Sequence, residues 1–306
     1  MSRVPIVFHE AYEVDIGAHV FPTAKYRLVR ERLLAEGAIE ESDLIRAPRA
    51  TDAELRLVHT ADYVRKLQTG DFTPAELLTL EVPYSPALRD AVWLCAGGSI
   101  LTGRLALERG VAVHLGGGFH HAFPEHGEGF CPANDVAIAV QALQRGGETE
   151  RAVVIDLDVH HGNGTAAIFS DDATVFTFSM HQERNYPGYK PPGDLDLGLA
   201  DGTGDEEYVA LLEEHLPAIL EAHRPDLAFY LAGADPYHGD QLGGLGLTIE
   251  GLRRRDETVL SRLAKAWVPA AILLAGGYAW RGEDTVTIHS NTVRAAIEAS
   301  PMPRLR

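Results

Sequence analysis

Cysteine is scarce in this sequence: its 306 residues include only Cys95 and Cys131. Neither lies in a C-x-x-C motif, so the pattern indicates neither a disulfide scaffold nor a thiol redox motif. Long apolar runs are also lacking, since no stretch approaches the roughly 18 residues of a membrane-spanning helix. The opening segment has too short an apolar run for a secretory signal. We therefore expect a protein of the reducing cytoplasm without a membrane partner.

Basic residues are the minority among the charged ones. Lys and Arg number 27 against 44 Asp and Glu, which gives a net charge of −17. This argues against nucleic acid as a direct partner, because phosphate binding needs a basic surface. An acidic surface is compatible with cationic substrates such as lysine-rich peptides or polyamines, and it serves solubility equally well.

Short apolar runs alternate with segments of helical periodicity. The runs, mostly continuous rather than alternating, are typical of parallel strands buried on both faces, and they span 4–10, 110–118, 151–161, 173–181, 226–236 and 270–280. The helical segments are 23–36, 86–109, 134–145, 205–222, 250–266 and 284–299. This alternation predicts an α/β fold, a three-layer sandwich with a central parallel sheet. No linker-like segment interrupts it, so we expect a single domain, 1–306.

Five of the six runs end in glycines or ionisable residues: GGGFHH, DLDVHHGNG, SMH, GADP and GGY. Ligands of open parallel sheets bind beyond the carboxyl ends of the strands. We therefore expect these five ends to converge on one site. Two of them contain adjacent histidines, 120–121 and 160–161, which suits a site where one pair moves protons and the other helps to hold a metal.

The spacing of acidic residues indicates where a metal would bind. Asp156, Asp158 and His160 are spaced by two, so an extended strand would place them on one face. Buried carboxylates need a cation or hydrogen-bond donors. Asp158 and His160, with Asp235 from another strand end, form an Asp-His-Asp set that suits catalytic zinc or iron(II). Asp156 would lie deeper and would accept a hydrogen bond from a histidine or bind a monovalent cation.

Longer motifs make the sequence resemble a known family over nearly its whole length. The segments HLGGGFHHA, GFCPANDVAIA, VIDLDVHHGNGT, FTFSMH, LAGADPYHGDQLGGLGLT and LAGGYAW stand in the order found in the metal-dependent histone deacetylase family. The likeness is strongest to its class IV branch. It implies the arginase-deacetylase fold and a zinc-dependent amidohydrolase that removes acetyl or longer acyl groups from lysine side chains. The implied substrates are acylated lysine peptides or proteins, or acylated small amines.

The resemblance implies catalytic roles for five residues besides the three zinc ligands. His120, paired with Asp156, and His121, paired with Asn163, would handle protons. We expect His121 to be the base. Tyr278 would polarise the acyl carbonyl.

The resemblance also implies how substrate and structural ions are held. Phe130 and Tyr186 would line the acyl tunnel, with the Gly129 carbonyl facing the substrate, while Gly276 and Gly277 let the following loop approach closely. A potassium or sodium ion would bind Asp156, Ser179 and main-chain oxygens of Asp158, His160 and Met180. A second, outer ion would use oxygens near Phe169, Asp172 and Val175.

Some positions depart from the family pattern or have a plain interpretation. The loop 81–90 does not clearly present the rim aspartate that grips substrate in class I members, and residues 186–193 give the tunnel mouth its own shape. Lys25 falls where some members have an arginine in an internal channel. We expect His161 to be structural and His19 to be a solvated loop histidine.

Three other functions are open on the sequence. An acetylpolyamine amidohydrolase uses the same chemistry on a small cationic amine. A ureohydrolase shares the fold, but it would need two manganese ions and more carboxylate ligands than this sequence offers. A non-catalytic acyl-lysine-binding module would lack Tyr278 or a metal ligand, and this sequence has both.

Overall fold

A parallel sheet forms the middle layer of the computed structural model, which describes residues 4–299. Within that range its eight strands lie in the order β2-β1-β3-β8-β7-β4-β5-β6, and every neighbouring pair is parallel. Strands β1 to β8 are Ile6–Phe8, Leu44–Arg46, Val111–His114, Ala152–Asp156, Val175–Gln182, Leu195–Leu199, Leu227–Leu231 and Ala270–Leu273. The predicted single domain extends past both ends, and residues 1–3 and 300–306 lie outside the described residues.

Helices cover both faces of the sheet. In the described part of the chain, α1 to α10 are Lys25–Ala35, Asp52–Leu55, Ala61–Thr69, Pro74–Leu80, Pro86–Arg109, Asp135–Arg145, Asn163–Phe169, Asp205–His223, Ile249–Lys265 and Gly282–Ala299. Two short 3₁₀ turns, Glu10–Tyr12 and Glu41–Asp43, complete the helical elements there. Within residues 4–299, no helix combines the length and apolar character needed to cross a membrane.

Each face of the sheet has its own apolar core. Along β4, Val153 and Ile155 belong to one core, whereas Val154 belongs to the other, because successive strand side chains point to opposite faces. Helices α1, α8, α9 and α10 contribute to the first core, and α2, α3, α5 and α6 chiefly to the second. The predicted three-layer α/β sandwich is confirmed.

The exposed edge of the sheet and the end of β4 differ from the sequence prediction. Edge strands β2 and β6 are only partly buried, so they have no continuous apolar run that would predict them. Strand β4 ends at Asp156, and the prediction that one extended strand includes Asp158 and His160 is wrong. Both residues lie in the irregular segment that follows, where tertiary contacts rather than strand alternation set their directions.

The four central strands explain why polar segments far apart in sequence meet. Strands β3, β8, β7 and β4 are neighbours in the sheet and run in the same direction. The segments that follow them, 115–121, 274–278, 232–235 and 157–161, therefore leave the sheet at the same edge. This is the edge at which the sequence predicts a site.

A buried neutral histidine connects this edge to the helices beneath it. Nδ1 of His59 lies 3.0 Å from the carbonyl oxygen of Phe123, and its Nε2 accepts a 3.1 Å hydrogen bond from the backbone N–H of Asn134. Burial lowers the pKa of His59 to about 4, even though nearby carbonyl oxygens favour the protonated ring. His59 thus remains neutral at pH values where an exposed histidine is charged.

This neutral histidine predicts a loss of stability in acid. Between about pH 6.5 and 4 the unfolded chain binds a proton at His59 that the folded chain does not bind. Its contribution to the free energy of unfolding is therefore complete above pH 6.5 and falls by up to about 1.4 kcal/mol per pH unit below it. Urea unfolding with a chelator at pH 7 and pH 5 should show a smaller pH dependence for His59→Gln. An equal pH dependence of the free energy of unfolding in the wild type and His59→Gln would contradict the assignment of this effect to His59.

Candidate functional site

Asp158, His160 and Asp235 meet beyond the ends of β4 and β7, and we call them the metal group. All three are buried, and Asp235 is 0% exposed. Nδ1 of His160 lies 3.0 Å from Oδ1 of Asp158 and 3.5 Å from Oδ2 of Asp235. One ligand atom of each residue lies within 4.8 Å of the other two. Among the described residues, no donor forms a hydrogen bond with Oδ2 of Asp235.

The electrostatics of the metal group favour a cation. Burial and the adjacent charge of Asp158 raise the pKa of Asp235 to about 7. Burial acts in the same direction on Asp158, but the two imidazoles of His120 and His160 hold its pKa well below the usual range. A divalent cation would relieve the carboxylate repulsion and engage the oxygen that lacks a donor. Two carboxylates and one imidazole suit zinc or iron(II), so these residues fit the predicted metal.

Backbone groups and a glycine shape the metal group. Gly276 donates its N–H to Oδ2 of Asp158 at 2.9 Å, and Val159 donates to Oδ1 of Asp235 at 2.9 Å. A Cβ atom at Gly276 would overlap with the Oδ2 atoms of both aspartates. The carboxylates are therefore held in place by donors, and the space between them and the loop admits only glycine.

The histidine pair lies beside the metal group, with a different partner behind each ring. Nδ1 of His120 lies 2.6 Å from Oδ2 of Asp156, whereas Nδ1 of His121 lies 2.8 Å from Oδ1 of Asn163. The two Nε2 atoms are 3.1 Å apart. The structure thus brings together both pairs expected from the sequence, and it adds a direct contact between the two imidazoles.

The surroundings of His120 and His121 shift the pKa values of the two rings in opposite directions. Burial alone would lower both pKa values, but the charges of Asp156 and Asp158 raise the pKa of His120 to about 9. For His121, burial and the neighbouring charges of His120 and His160 lower the pKa well below its usual value. The first ring therefore holds a proton more strongly than the second.

A cleft of about 450 Å³ leads from the surface to the metal group. Phe130 and Tyr186 line it, as expected for the acyl tunnel, and Tyr278 lines it as well. The Tyr186 ring meets the His121 ring edge-on at 5.0 Å, and the Phe130 ring meets Tyr278 at 5.9 Å. A Cβ atom at Gly129 would lie 2.8 Å from both His121 and Tyr186, so this wall requires glycine.

The mouth of the cleft contains two residues that the sequence did not assign to it. Glu81 lines the mouth, so the loop 81–90 does present a carboxylate there. His19 also lines it, with Nε2 at 2.8 Å from the Glu81 carbonyl oxygen and its ring 4.9 Å from that of Phe130. His19 is therefore part of the mouth rather than a plain solvated histidine.

The loop after β8 positions Tyr278. Its N–H donates to Oδ2 of Asp240 at 2.6 Å, and its carbonyl oxygen accepts from Nε2 of Gln241 at 2.7 Å. Gly277 has φ 145°, a conformation that favours glycine. Asp240 is a site residue that sequence reasoning missed, although it stands in the motif GADPYHGD.

Lys25 lies buried behind the same loop. Its Nζ donates to the carbonyl oxygen of Ala275 at 2.6 Å and lies 5.5 Å from the centre of the Tyr278 ring. Burial lowers the pKa of this amine to about 8, opposed by the charges of Asp235 and Asp158. Lys25 thus fixes the backbone immediately before Gly276, in the loop that leads to Tyr278.

The residues predicted to hold monovalent cations lie close together, and their role stays a prediction. Asp156 and Ser179 are opposite each other on β4 and β5, and Met180 is buried next in β5. The Ser179 hydroxyl lies 2.9 Å from Nδ1 of His181. The ring of His161 contacts that of His181 at 4.7 Å, and its structural role stays a prediction. The outer set lies in one turn between α7 and β5: Phe169, Asp172 and Val175.

Other glycines matter for reasons that only the structure shows. A Cβ atom at Gly162 would overlap with Oδ2 of Asp156, the partner of His120. One at Gly164 would lie 2.6 Å from the backbone of His121. Both glycines belong to the motif HGNGT, so this motif reflects close packing around the histidine pair.

Comparison with known proteins shows the family to which the chain belongs. The model of the histone deacetylase domain family matches residues 19–293. An uncharacterized protein of Picosynechococcus sp. is 45% identical over 293 residues, 95% of this chain and 98% of that protein. Histone deacetylase 2 of Arabidopsis thaliana is 31% identical over 297 residues, 91% of this chain and 75% of that protein. The crystal structure of a histone deacetylase homologue complexed with SAHA has a TM-score of 0.79 and 25% identity, covering 96% of this chain and 84% of that one.

A parallel sheet with this site at the ends of its central strands defines the arginase-deacetylase fold, as the resemblance implied. Within that fold, the chain belongs to the histone deacetylase domain family. It is accordingly an amidohydrolase of the deacetylase type.

Replacing Gly276 by alanine tests the metal group without removing a ligand. The new methyl group would overlap with Asp158 and Asp235, so we expect Gly276→Ala to lose at least about tenfold in zinc affinity, as for changes beside metal ligands elsewhere. Competition with a chromophoric chelator measures this. Gly282→Ala is the matched control, because a Cβ there meets no atom within 4 Å. Equal affinities of the two variants would contradict the assigned metal group.

Proposed function

We propose that the chain is a zinc-dependent lysine deacylase of the class IV type. One observation supports this most: the metal group lies at the base of an aromatic-walled cleft, between a histidine pair of unequal charge and Tyr278. Iron(II) would suit the same ligands. A potassium or sodium ion near Asp156 and Ser179 would stabilise the structure. A cytoplasmic location rests on the composition alone.

The walls of the cleft suit a long aliphatic amide. Phe130 and Tyr186 offer flat apolar faces that would pack on the methylene chain of an acylated lysine. The net charge of −17 favours approach of a cationic peptide. The solved homologue that holds SAHA supports the idea that a related cleft accommodates a ligand.

The metal group and the histidine pair divide the chemistry between them. When bound to Asp158, His160 and Asp235, zinc supplies Lewis-acid polarisation of the scissile carbonyl and a lower pKa for the attacking water. Neutral His121 accepts the water proton at Nε2, because its Nδ1 is engaged by Asn163. Positive His120, held by Asp156, stabilises negative charge that develops at the carbonyl oxygen.

Tyr278 lines the same cleft, with its ring 6.4 Å from that of His160. The backbone contacts with Asp240 and Gln241 fix its loop, so the phenol is positioned before substrate arrives. Its buried hydroxyl has a pKa well above the usual value, chiefly because of burial and the charges of Asp158 and Asp235, so it stays a hydrogen-bond donor. It donates to the developing oxyanion.

A second candidate is the hydrolysis of acylated polyamines. Glu81 at the cleft mouth would attract the remote ammonium group of such a substrate. The ureohydrolase and binding-module alternatives have no comparable support, since the chain belongs to a deacetylase family and presents Tyr278 beside the metal group.

Substrate comparison tests the proposed function. With zinc-loaded protein, we expect measurable kcat/KM for one lysine peptide bearing acetyl, octanoyl or myristoyl groups, above that for acetylspermidine. Faster hydrolysis of acetylspermidine would select the polyamine alternative. No hydrolysis of any of these substrates by zinc-bound protein would overturn both.

Removal of one hydroxyl tests the role of Tyr278. Tyr278→Phe should lower kcat by about 10²–10³, the effect of losing one oxyanion donor, while zinc content stays at the wild-type level. Trp267→Phe, at a side chain that is 51% exposed and precedes β8, is the control and should retain full activity. Near-normal turnover by Tyr278→Phe would remove the tyrosine from the mechanism.

A further inference from the structure

Glu128 stands in a tight turn at the wall of the cleft. It forms an isolated antiparallel bridge with Cys131, and the two residues between them, Gly129 and Phe130, have φ values of 53° and 68°. The turn directs Phe130 into the cleft, and the Glu128 side chain is only 16% exposed. No motif in the sequence points to this glutamate.

Three donors from separate parts of the chain meet on its carboxylate. Nδ2 of Asn163, at the start of α7, donates to Oε1 at 2.6 Å, and the Tyr186 hydroxyl donates to the same oxygen at 3.1 Å. Nε2 of His126 lies 3.1 Å from Oε2. Burial opposes ionisation, but these donors lower the pKa of Glu128, so the group is an anion at neutral pH.

An ionised carboxylate only accepts hydrogen bonds, and this fixes the direction of the Asn163 amide. The amide must turn its NH₂ group toward Glu128 and its oxygen toward His121. Because that oxygen lies 2.8 Å from Nδ1 of His121, the ring proton must be on Nδ1, which leaves the lone pair on Nε2. With no carboxylate behind it, the amide could turn over and stabilise the opposite tautomer.

We propose that Glu128 is a positioning residue, which sets the tautomer of His121 through the Asn163 amide and holds Tyr186 on the cleft wall. This rests on the proposed function in one respect, the role of His121 as proton acceptor. A serine protease whose catalytic histidine is held in the wrong tautomer loses about 10⁴ in kcat. The wrong tautomer of His121 would therefore lower kcat strongly.

A reciprocal exchange tests the relay. Asn163→Asp alone would place two carboxylates in contact, and we expect it to lower kcat by at least about tenfold. Glu128→Gln alone leaves the amide direction undetermined and should lower kcat several-fold. When both substitutions are combined, the amide introduced at position 128 can donate to the carboxylate introduced at position 163, which still accepts from Nδ1 of His121. We therefore expect kcat of the double variant to be at least about tenfold above that of Asn163→Asp, with KM changed much less than kcat.

The control uses a neighbouring glutamate. Glu125 is exposed on the same loop, so Glu125→Gln should keep full activity and should not rescue Asn163→Asp. A double variant of Glu128 and Asn163 that is as impaired as the product of its single variants would overturn the proposal. Rescue by Glu125→Gln would overturn it as well.

A second measurement does not depend on turnover. Nitrogen-15 NMR of the histidine rings in metal-free protein should show His121 protonated at Nδ1 in the wild type, and a population protonated at Nε2 in Glu128→Ala. An unchanged tautomer in that variant would overturn the proposal. If the wild type hydrolyses no acyl substrate, the proposed function fails, and this measurement decides the role of Glu128 by itself.

Discussion

Two buried carboxylates that share one small space are the constraint on which this site depends. Asp158 and Asp235 follow different strands, β4 and β7, and both are almost fully shielded from water. Uncompensated charge in such a place is strongly destabilising. The backbone N–H groups of Val159 and Gly276 and the imidazole of His160 reduce that cost, and a cation bound at Oδ2 of Asp235 would reduce it further.

The parallel sheet makes this arrangement attainable. Its four central strands end side by side, so segments separated by more than a hundred residues contribute to one small volume. The same geometry puts the histidine pair after β3 beside the metal group after β4 and β7. The apolar strands thus form a rigid scaffold, and the irregular segments that follow them carry the polar side chains of the site.

His120 and His121 are adjacent in the chain, but each has a different hydrogen-bond partner at its Nδ1 atom. His120 faces the carboxylate of Asp156, and His121 faces the neutral amide of Asn163. Their pKa values are therefore driven in opposite directions, which suits the roles of charge stabiliser and base that we propose for His120 and His121. Glu128 acts on His121 indirectly, because its carboxylate determines which way the Asn163 amide points.

The buried strands and the polar segments that follow them could be predicted from the sequence, because continuous apolar runs and the residues after them are local signals. It could not reach β2 and β6, whose partial exposure removes that signal. It extended β4 too far, since Asp158 and His160 alternate as a strand would although the chain has already turned. Glu128 and Asp240 act through contacts with residues more than thirty positions away, and no spacing rule reports such contacts.

The most direct measurement is a zinc titration of metal-free protein during hydrolysis of an acyl-lysine peptide. If the metal group is the catalytic centre, activity should be absent at the start and should rise linearly to a plateau at one zinc per chain. The same titration of Asp235→Asn should produce no such rise. Full activity before zinc is added, or an Asp235→Asn protein that titrates like the wild type, would contradict the assignment of this centre.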